Sequence, residues 1–446
     1  MLATSLTRPS RSVKPRGGAL AALALAASLA ATARADEAAF HPTPSLDLEA
    51  LAALVATRSR AVQTEALAVD AAATEARQAR LLGNPQLDGS WATIPVGQTN
   101  PPGLSSRMSR VPSYGVGVSY TFLLGKRGPR QRRADALESA ARATVAATTR
   151  AQALALARVL GTMAVASMRA EGLRALVEEQ RGSIALAEVR LRAGFATPLD
   201  LDRLQIELSR VEQQVSASET EARLAEASCA GLLGQRCVGF ASADEARAFV
   251  SAWTARAERA TPRPEARPDV RALDAARRAM VAEAELARAT RIPDPTVRVG
   301  YLYDQFVISG NQRHSFNLSV AIPLPVFDGG GVQRDGALAR GSRLSAERGR
   351  LLAAAAARVL ALRDALASQR QRSAKLATEV TPRARAVVAD LEKAAGARLI
   401  PLTDVIQARR TLSELLIQQA ETDGDAYETS LELLTEAGSE RDEAAR

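Results

Sequence analysis

Two histidines, two cysteines and a few adjacent carboxylates are the groups in this chain that could do chemistry, and their spacing argues against catalysis. His41 and His314 are the whole histidine complement, and neither lies near Cys229 or Cys237 in sequence, so no Cys/His metal set forms. Glu178-Glu179 and Asp200-Asp202 are neighbours that splay apart on a helix, as solvated surface residues do. Gly329-Gly330-Gly331 precedes a helix but lacks the G-x-x-x-x-G-K-[ST] pattern of a phosphate loop, and Gly125-Lys126-Arg127 lacks the hydroxyl residue. No Ser/His/Asp or Cys/His triad is available. The reading is a non-enzyme without cofactor or metal site.

The elements that would position any site are long. From Pro129 to about Arg192 there is no proline, and alanine, leucine and arginine dominate, which predicts a helix of roughly 95 Å. It breaks at Arg192-Ala193-Gly194-Phe195-Ala196-Thr197-Pro198-Leu199-Asp200-Leu201. A return helix follows over Leu199–Leu233, with Leu201, Leu204, Leu208 and Val211 as its seam and Gly234 as its stop. A second proline-poor helix spans about Val332–Ala395, interrupted only by Pro382. It breaks around Gly396 to Pro401 and returns through Asp404 to about Gly438. An earlier helix is expected over Ser45–Leu82, capped by Ser45, and another from Asp269 to Arg291.

Between these helices stand two alternating hairpins. Leu87 and Trp91 alternate with Asp88 and Ser90, then Tyr114, Val116, Val118, Tyr120 and Phe122 with Gly115, Gly117, Ser119 and Thr121. Later, Val297, Val299, Tyr301 and Tyr303 form one face of a strand, and Phe316, Leu318, Val320 and Ile322 one face of the next. Seven of the 15 aromatic residues fall in these four segments. Trp91, Tyr114, Tyr120, Phe122, Tyr301, Tyr303 and Phe316 are the candidates to face lipid. A glycine turn launches a helix after each hairpin, at Gly125 and at Gly329, and Asp200 stands to Asp404 at the same offset of about 204 residues. The expectation is a duplicated chain, with a first repeat over residues 36–240, a linker over 241–268 holding a short helix around Trp253, and a second repeat over 269–446.

Residues 1–35 read as a secretory signal, with Arg8, Arg11, Lys14 and Arg16, an apolar run over Ala19–Ala31, and Ala33-Arg34-Ala35 as a cleavage site. The formal charge of +9 includes five basic residues of that segment, so the remainder carries about +4 and the basicity says little about nucleic acid. No run of about eighteen apolar residues follows, which leaves strands, not helices, to enter a membrane. Outside the cytoplasm, Cys229 and Cys237 could form a disulfide if Gly234 turns the chain back; the alternative is two small apolar residues at a helix end.

Four strands cannot close a barrel, and an open sheet in lipid leaves backbone groups unpaired. Three copies would supply twelve strands above a bundle of long helices. A soluble sheet, a fibrous coiled coil and an envelope spacer or adhesin stalk without transport activity are the competing readings. A periplasmic adaptor would carry one helical hairpin between soluble β-domains.

Several motifs together resemble the TolC family of outer-membrane efflux channels: Pro323-Leu324-Pro325-Val326-Phe327-Asp328-Gly329-Gly330, Arg267-Pro268-Asp269, and Gly194-Phe195-Ala196-Thr197-Pro198-Leu199-Asp200-Leu201 with its partner at Asp404-Val405. The resemblance implies a mainly helical, internally duplicated chain. Its long antiparallel hairpins would form an α-barrel in the periplasm, and its four strands would join a trimeric β-barrel in the outer membrane. It implies docking of the hairpin tips on a periplasmic adaptor and an inner-membrane pump, whose cargo could be metal cations, drugs or a type I secreted protein. Leu123-Leu124-Gly125-Lys126-Arg127 and Ile292-Pro293-Asp294-Pro295 look most like the cobalt-zinc-cadmium branch. Carried over by position, Gly194, Pro198 and Asp200 would mark one tip and Gly396, Pro401, Asp404 and Gln407 the other, with Asp404 and Gln407 at the periplasmic mouth.

Overall fold

The computed structural model describes residues 39–98, 102, 105–305, 312–397 and 399–438. The expected secretory signal lies outside the described residues, as do parts of the two hairpin loops.

The expected first helix is two. Helix α1 (Leu48–Arg58) is capped by Asp47, whose Oδ1 accepts from Ala50 N at 2.7 Å, so the cap is Asp47 and not Ser45. At Ser59 the backbone is extended, and α2 (Arg60–Arg80) restarts directly after it. Strand β1 (Gln86–Ala92), the short helix α3 (Arg107–Arg110) and strand β2 (Ser113–Thr121) follow. Helix α4 (Arg127–Arg192) then runs 66 residues, roughly 100 Å, and α5 (Pro198–Leu233) returns along it. Helix α6 (Ala243–Arg259) leads to α7 (Pro268–Ala289), strands β3 (Thr296–Asp304) and β4 (His314–Ala321), and α8 (Gly331–Lys375). A π-helical turn (Leu376–Val380) joins α8 to α9 (Thr381–Gly396), and α10 (Leu402–Ala437) returns. The π turn lies just before Pro382. That proline has no N–H to give the preceding turn, and the wider register absorbs the loss without ending the helix.

One correction concerns the membrane. By length and composition alone, α4 contains an eighteen-residue window apolar enough to cross a bilayer, with mean hydropathy 1.4. Its apolarity has another use. Leu156, Leu160, Met163 and Leu173 on this helix are fully buried against α1, α5, α6 and α10.

The segment read as a linker supplies the aromatic centre of the core. Ser242 caps α6, and Phe249 and Trp253 are fully buried, with ring centroids 5.6 and 5.9 Å from Tyr427 of α10. The Tyr427 hydroxyl donates to Ala157 O of α4 at 2.7 Å, and Gly161 leaves room for its ring, since a Cβ there would stand 2.2 Å from Cε1. Burial holds the Tyr427 phenol well above the usual tyrosine range, so it stays a neutral donor. Cys229 and Cys237 form a disulfide after Gly234 turns in the left-handed region at φ 68°. That bridge holds the segment to which Phe40 pairs, with Phe40 N donating to Arg236 O at 2.8 Å.

The four strands make one antiparallel sheet in the order β1-β2-β3-β4. Its register lines up Leu87 with Val118, Val299 and Leu318, and Trp91 with Tyr114, Tyr303 and His314. Alternation then sorts the sheet into one apolar face and one face of Gln86, Asp88, Ser90, Ser119, Arg298, Asn317 and Ser319. Both outer strands, β1 and β4, present an unpaired edge among the described residues.

Candidate functional site

The sheet and the hairpin tips are the two ends of the molecule at which the sequence placed its candidates. At the sheet end, Trp91, Tyr114, Tyr120, Tyr301, Tyr303 and Phe316 all fall on the apolar face. Phe122 continues it one residue past β2, where its N–H donates to Pro295 O and its ring meets Tyr120 edge-on at 4.9 Å. Phe316 is 83% exposed and Trp91 53%, alongside exposed Leu87, Val116, Val118, Val299, Leu318 and Val320. Among the described residues this is a continuous apolar surface with nothing over it. Below it Asp294 accepts from Leu124 N at 3.1 Å and from Lys126 Nζ at 2.7 Å, so the two motifs Leu123 to Arg127 and Ile292 to Pro295 meet.

At the other end each helix pair reverses in a tight turn. Gly194 takes φ 75°, and Thr197 and Asp200 form a reciprocal capping box, with Pro198 at the first helical position. Asp200 is therefore held by its own turn, its Oδ2 accepting from Thr197 Oγ1 at 2.7 Å. The second tip is built differently. Gly396 is the last residue of α9 and is not left-handed, so it does not do the work of Gly194. Pro401 precedes α10 in an extended conformation, and Asp404 N bonds the carbonyl of Pro401 at 3.2 Å. The Asp404 and Gln407 side chains are exposed, one turn apart on the same face of α10, while Val405, Ile406 and Arg409 point into the protein.

Between the two tips lies a groove of about 410 Å³, lined by Arg190, Phe195, Asp200, Glu392, Leu402 and Arg409 among others. Leu204 lines the groove and belongs to an apolar cluster with Ile184 and Ile406. Three charged residues that the sequence did not single out hold the hairpins together above it. Arg409 is 2% exposed, with Nε 3.0 Å from Glu392 Oε1 and Nη2 bonded to Ser183 Oγ. Glu207 of α5 is 1% exposed and accepts from Arg210 Nε at 2.9 Å and from Arg410 Nε of α10 at 2.8 Å. The signal was a charge at a helix position whose three- and four-residue neighbours are apolar: Glu207 sits between Leu204 and Val211, Arg409 between Val405 and Leu412.

Farther up, beside the π turn, Asp423 accepts from Ser373 Oγ, and Thr381 Oγ1 bonds Gln419 at 3.1 Å. Burial pushes the Asp423 carboxyl above the usual range, against the opposing effects of the Ser373 bond and the Arg247 charge. No group of three or more His, Cys, Asp or Glu side chains among the described residues could hold a metal ion.

Residues 51–235 match the family Outer membrane efflux protein. No curated protein matches the sequence. The fold is similar to that of the outer membrane protein VceC from Vibrio cholerae, at TM-score 0.65 and 19% identity, covering 88% of this chain and 96% of that one. It is similar to the Campylobacter jejuni CmeC outer membrane channel, at TM-score 0.66 and 13% identity, covering 88% and 85%. The open state of the Neisseria gonorrhoeae MtrE outer membrane channel gives TM-score 0.64 and 15% identity, covering 88% of both chains. The family match thus covers residues 51–235, and the fold of these outer membrane channels extends over nearly nine-tenths of the chain's length.

Proposed function

We propose that this chain is one third of a passive exit duct: three copies pool their four strands into a twelve-stranded barrel in the outer membrane and their long hairpins into a tunnel across the periplasm. The observation that carries this reading is the sheet. Its apolar face is exposed and continuous, its opposite face is polar, and both of its edges are unpaired among the described residues. In lipid an open edge leaves several backbone donors and acceptors unsatisfied, each at a cost of several kcal/mol. Closure with identical copies removes both edges and turns the polar face into a water-filled lumen. The recurring order of helix, two strands, long helix and return helix supports a duplicated chain in which each half contributes one hairpin of each kind.

The tips are the gate. Energy comes from an inner-membrane pump, and a periplasmic adaptor bound at the tips favours the open state by contacts made only there. The exposed pair Asp404 and Gln407 would face the narrow mouth, where three Asp404 carboxylates attract cations and repel anions at close range. Leu123 to Arg127 and Ile292 to Pro295 meet through Asp294, and the resemblance of these two motifs to the cobalt-zinc-cadmium branch is the basis for a metal-cation cargo.

Recording currents through the purified mature protein in planar lipid tests the reading. Stepwise, cation-selective conductance is expected, and Asp404→Asn should reduce the selectivity. A protein that gives no conductance at any concentration is a spacer and not a duct. Unchanged selectivity in the variant would refute the gate assignment alone.

A further inference from the structure

On the polar face of the sheet, Asp88 of β1 and Arg298 of β3 lie on opposite sides of β2. Asp88 is level with Gly117, whereas Arg298 is level with Ser119, so the guanidinium has to reach diagonally across the β2 backbone to meet the carboxylate. It does so, with Nε 3.4 Å from Asp88 Oδ2. Gly117 makes the reach feasible. A Cβ there would stand 3.1 Å from Arg298 Nε, 3.0 Å from Val299 O and 3.2 Å from Gly300 Cα. The next position in the same row repeats the device, since a Cβ on Gly300 would come within 2.4 Å of Asn317 Oδ1.

The row Asp88, Gly117, Gly300, Asn317 is thus a shallow trough with a glycine floor, and polar side chains from either side fold flat over it. Asp88 Oδ2 and Arg298 Nε are both buried atoms without a hydrogen bond, so each depends on the other's charge for compensation. The rest of the face around them is neutral: Gln86, Ser90, Ser119 and Ser319. Asp304 is charged but sits at the far end of β3.

We infer that the Asp88–Arg298 pair is a charge belt of the lumen that sets ion selectivity at the membrane end of the duct. The inference rests on the trimeric barrel proposed above, in which three such pairs alternate in sign around the wall. While the pairs are intact the belt is neutral and passes small cations and anions alike. Removing either member exposes three like charges to the lumen. A twelve-stranded wall has a backbone radius of roughly 12 Å. The Debye length is about 10 Å at 0.1 M salt and about 3 Å at 1 M. The belt therefore reaches the axis in dilute salt and is screened in concentrated salt.

Reversal potentials under a KCl gradient, measured on wild type, Asp88→Asn, Arg298→Gln and the double variant, test this. Near 0.1 M salt, Asp88→Asn should shift the chloride-to-potassium permeability ratio toward chloride by about twofold or more, and Arg298→Gln should shift it toward potassium. The double variant should return to the wild-type ratio, and all differences should vanish near 1 M. Asp88→Glu and Arg298→Lys, which keep the charges, should match wild type. Both neutralising variants conducting with the wild-type ratio at 0.1 M would overturn the belt while leaving the duct intact. A double variant displaced as far as either single one would also overturn it. A wild type that does not conduct would overturn the duct itself.

Discussion

Glu207 on the first helical hairpin and Arg410 on the second are joined by a 2.8 Å ion pair, and Glu207 is almost entirely buried where it makes it. The same carboxylate also takes Arg210 from its own helix, and Arg210 in turn donates to Ser413 Oγ of α10 at 2.9 Å. One buried acid therefore ties both hairpins at a level just above the tips. Glu207→Gln should leave two arginines without their counter-charge. Because both arginines are part-exposed, a loss of about 2 kcal/mol is expected, not the full cost of a buried ion pair. In single-channel recordings the variant should spend more time at high conductance, and a dwell-time distribution equal to wild type would show that the pair does not hold the tips.

The carboxyl of Asp423 supplies a pH-dependent test. Burial raises its pKa above the ordinary value of 3.8, so the folded protein holds that proton more tightly than the unfolded chain. The contribution is favourable below the ordinary value and is lost as pH rises through the folded-state value. Asp423→Asn keeps an acceptor for Ser373 and removes the charge. Its thermal midpoint should exceed that of wild type at pH 7, and the gap should close below about pH 4. An equal gap at both pH values would mean that the carboxylate is not the cause.

Two glycines of α4 should respond oppositely to the same change. A Cβ at Gly161 would stand 2.2 Å from the Tyr427 ring, while one at Gly182 would meet nothing within 4 Å. Gly161→Ala should cost about 1–3 kcal/mol through overpacking of the aromatic core. Gly182→Ala should gain up to about 1 kcal/mol from helix propensity. Denaturant midpoints of the two variants check the contrast, which disappears if the Tyr427 ring is not packed on α4.

The disulfide closes a short loop between Cys229 and Cys237, eight residues apart. In the chain-entropy account its removal by Cys229→Ser with Cys237→Ser costs about 2–3 kcal/mol. The loss should be local as well. Amide exchange at Phe40 and Val238, which pair across this loop, should rise well before exchange in the core of α4.

Much of this architecture could be read from residue order. Period-two alternation fixed the faces of all four strands, because a one-residue slip would put Trp91 and Tyr303 among the polar residues. The proline-free run after Pro129 marked α4 to within a turn, since nothing in it could stop a helix. What escaped depended on partners far away in sequence. Ser59 breaks the first helix at a residue with no breaker signature. The π turn before Pro382 depends on how a helix accommodates the missing donor. The segment around Trp253 read as a linker because it is less regular and ends in Pro262, Pro264 and Pro268, yet Trp253 meets Tyr427 from the far end of the chain. At the tips, Gly194 and Pro198 were legible as turn chemistry, and Gly396 marked where the helix of the second hairpin ends without taking a left-handed turn itself. Glu207, Arg409 and Arg410 were easy to pass over, although the apolar neighbours of Glu207 and Arg409 at helical spacing marked those two. A charge on an alanine-rich helix looks solvated until the opposite helix is in place.

The duct requires the four-stranded sheet to be completed by other copies of the same chain. The mass of the purified mature protein in detergent, measured by light scattering with the detergent contribution subtracted, decides this directly. Three protomers in one complex, falling to one only on heating, is the expected result. A single protomer that stays dispersed when the detergent is withdrawn would contradict it.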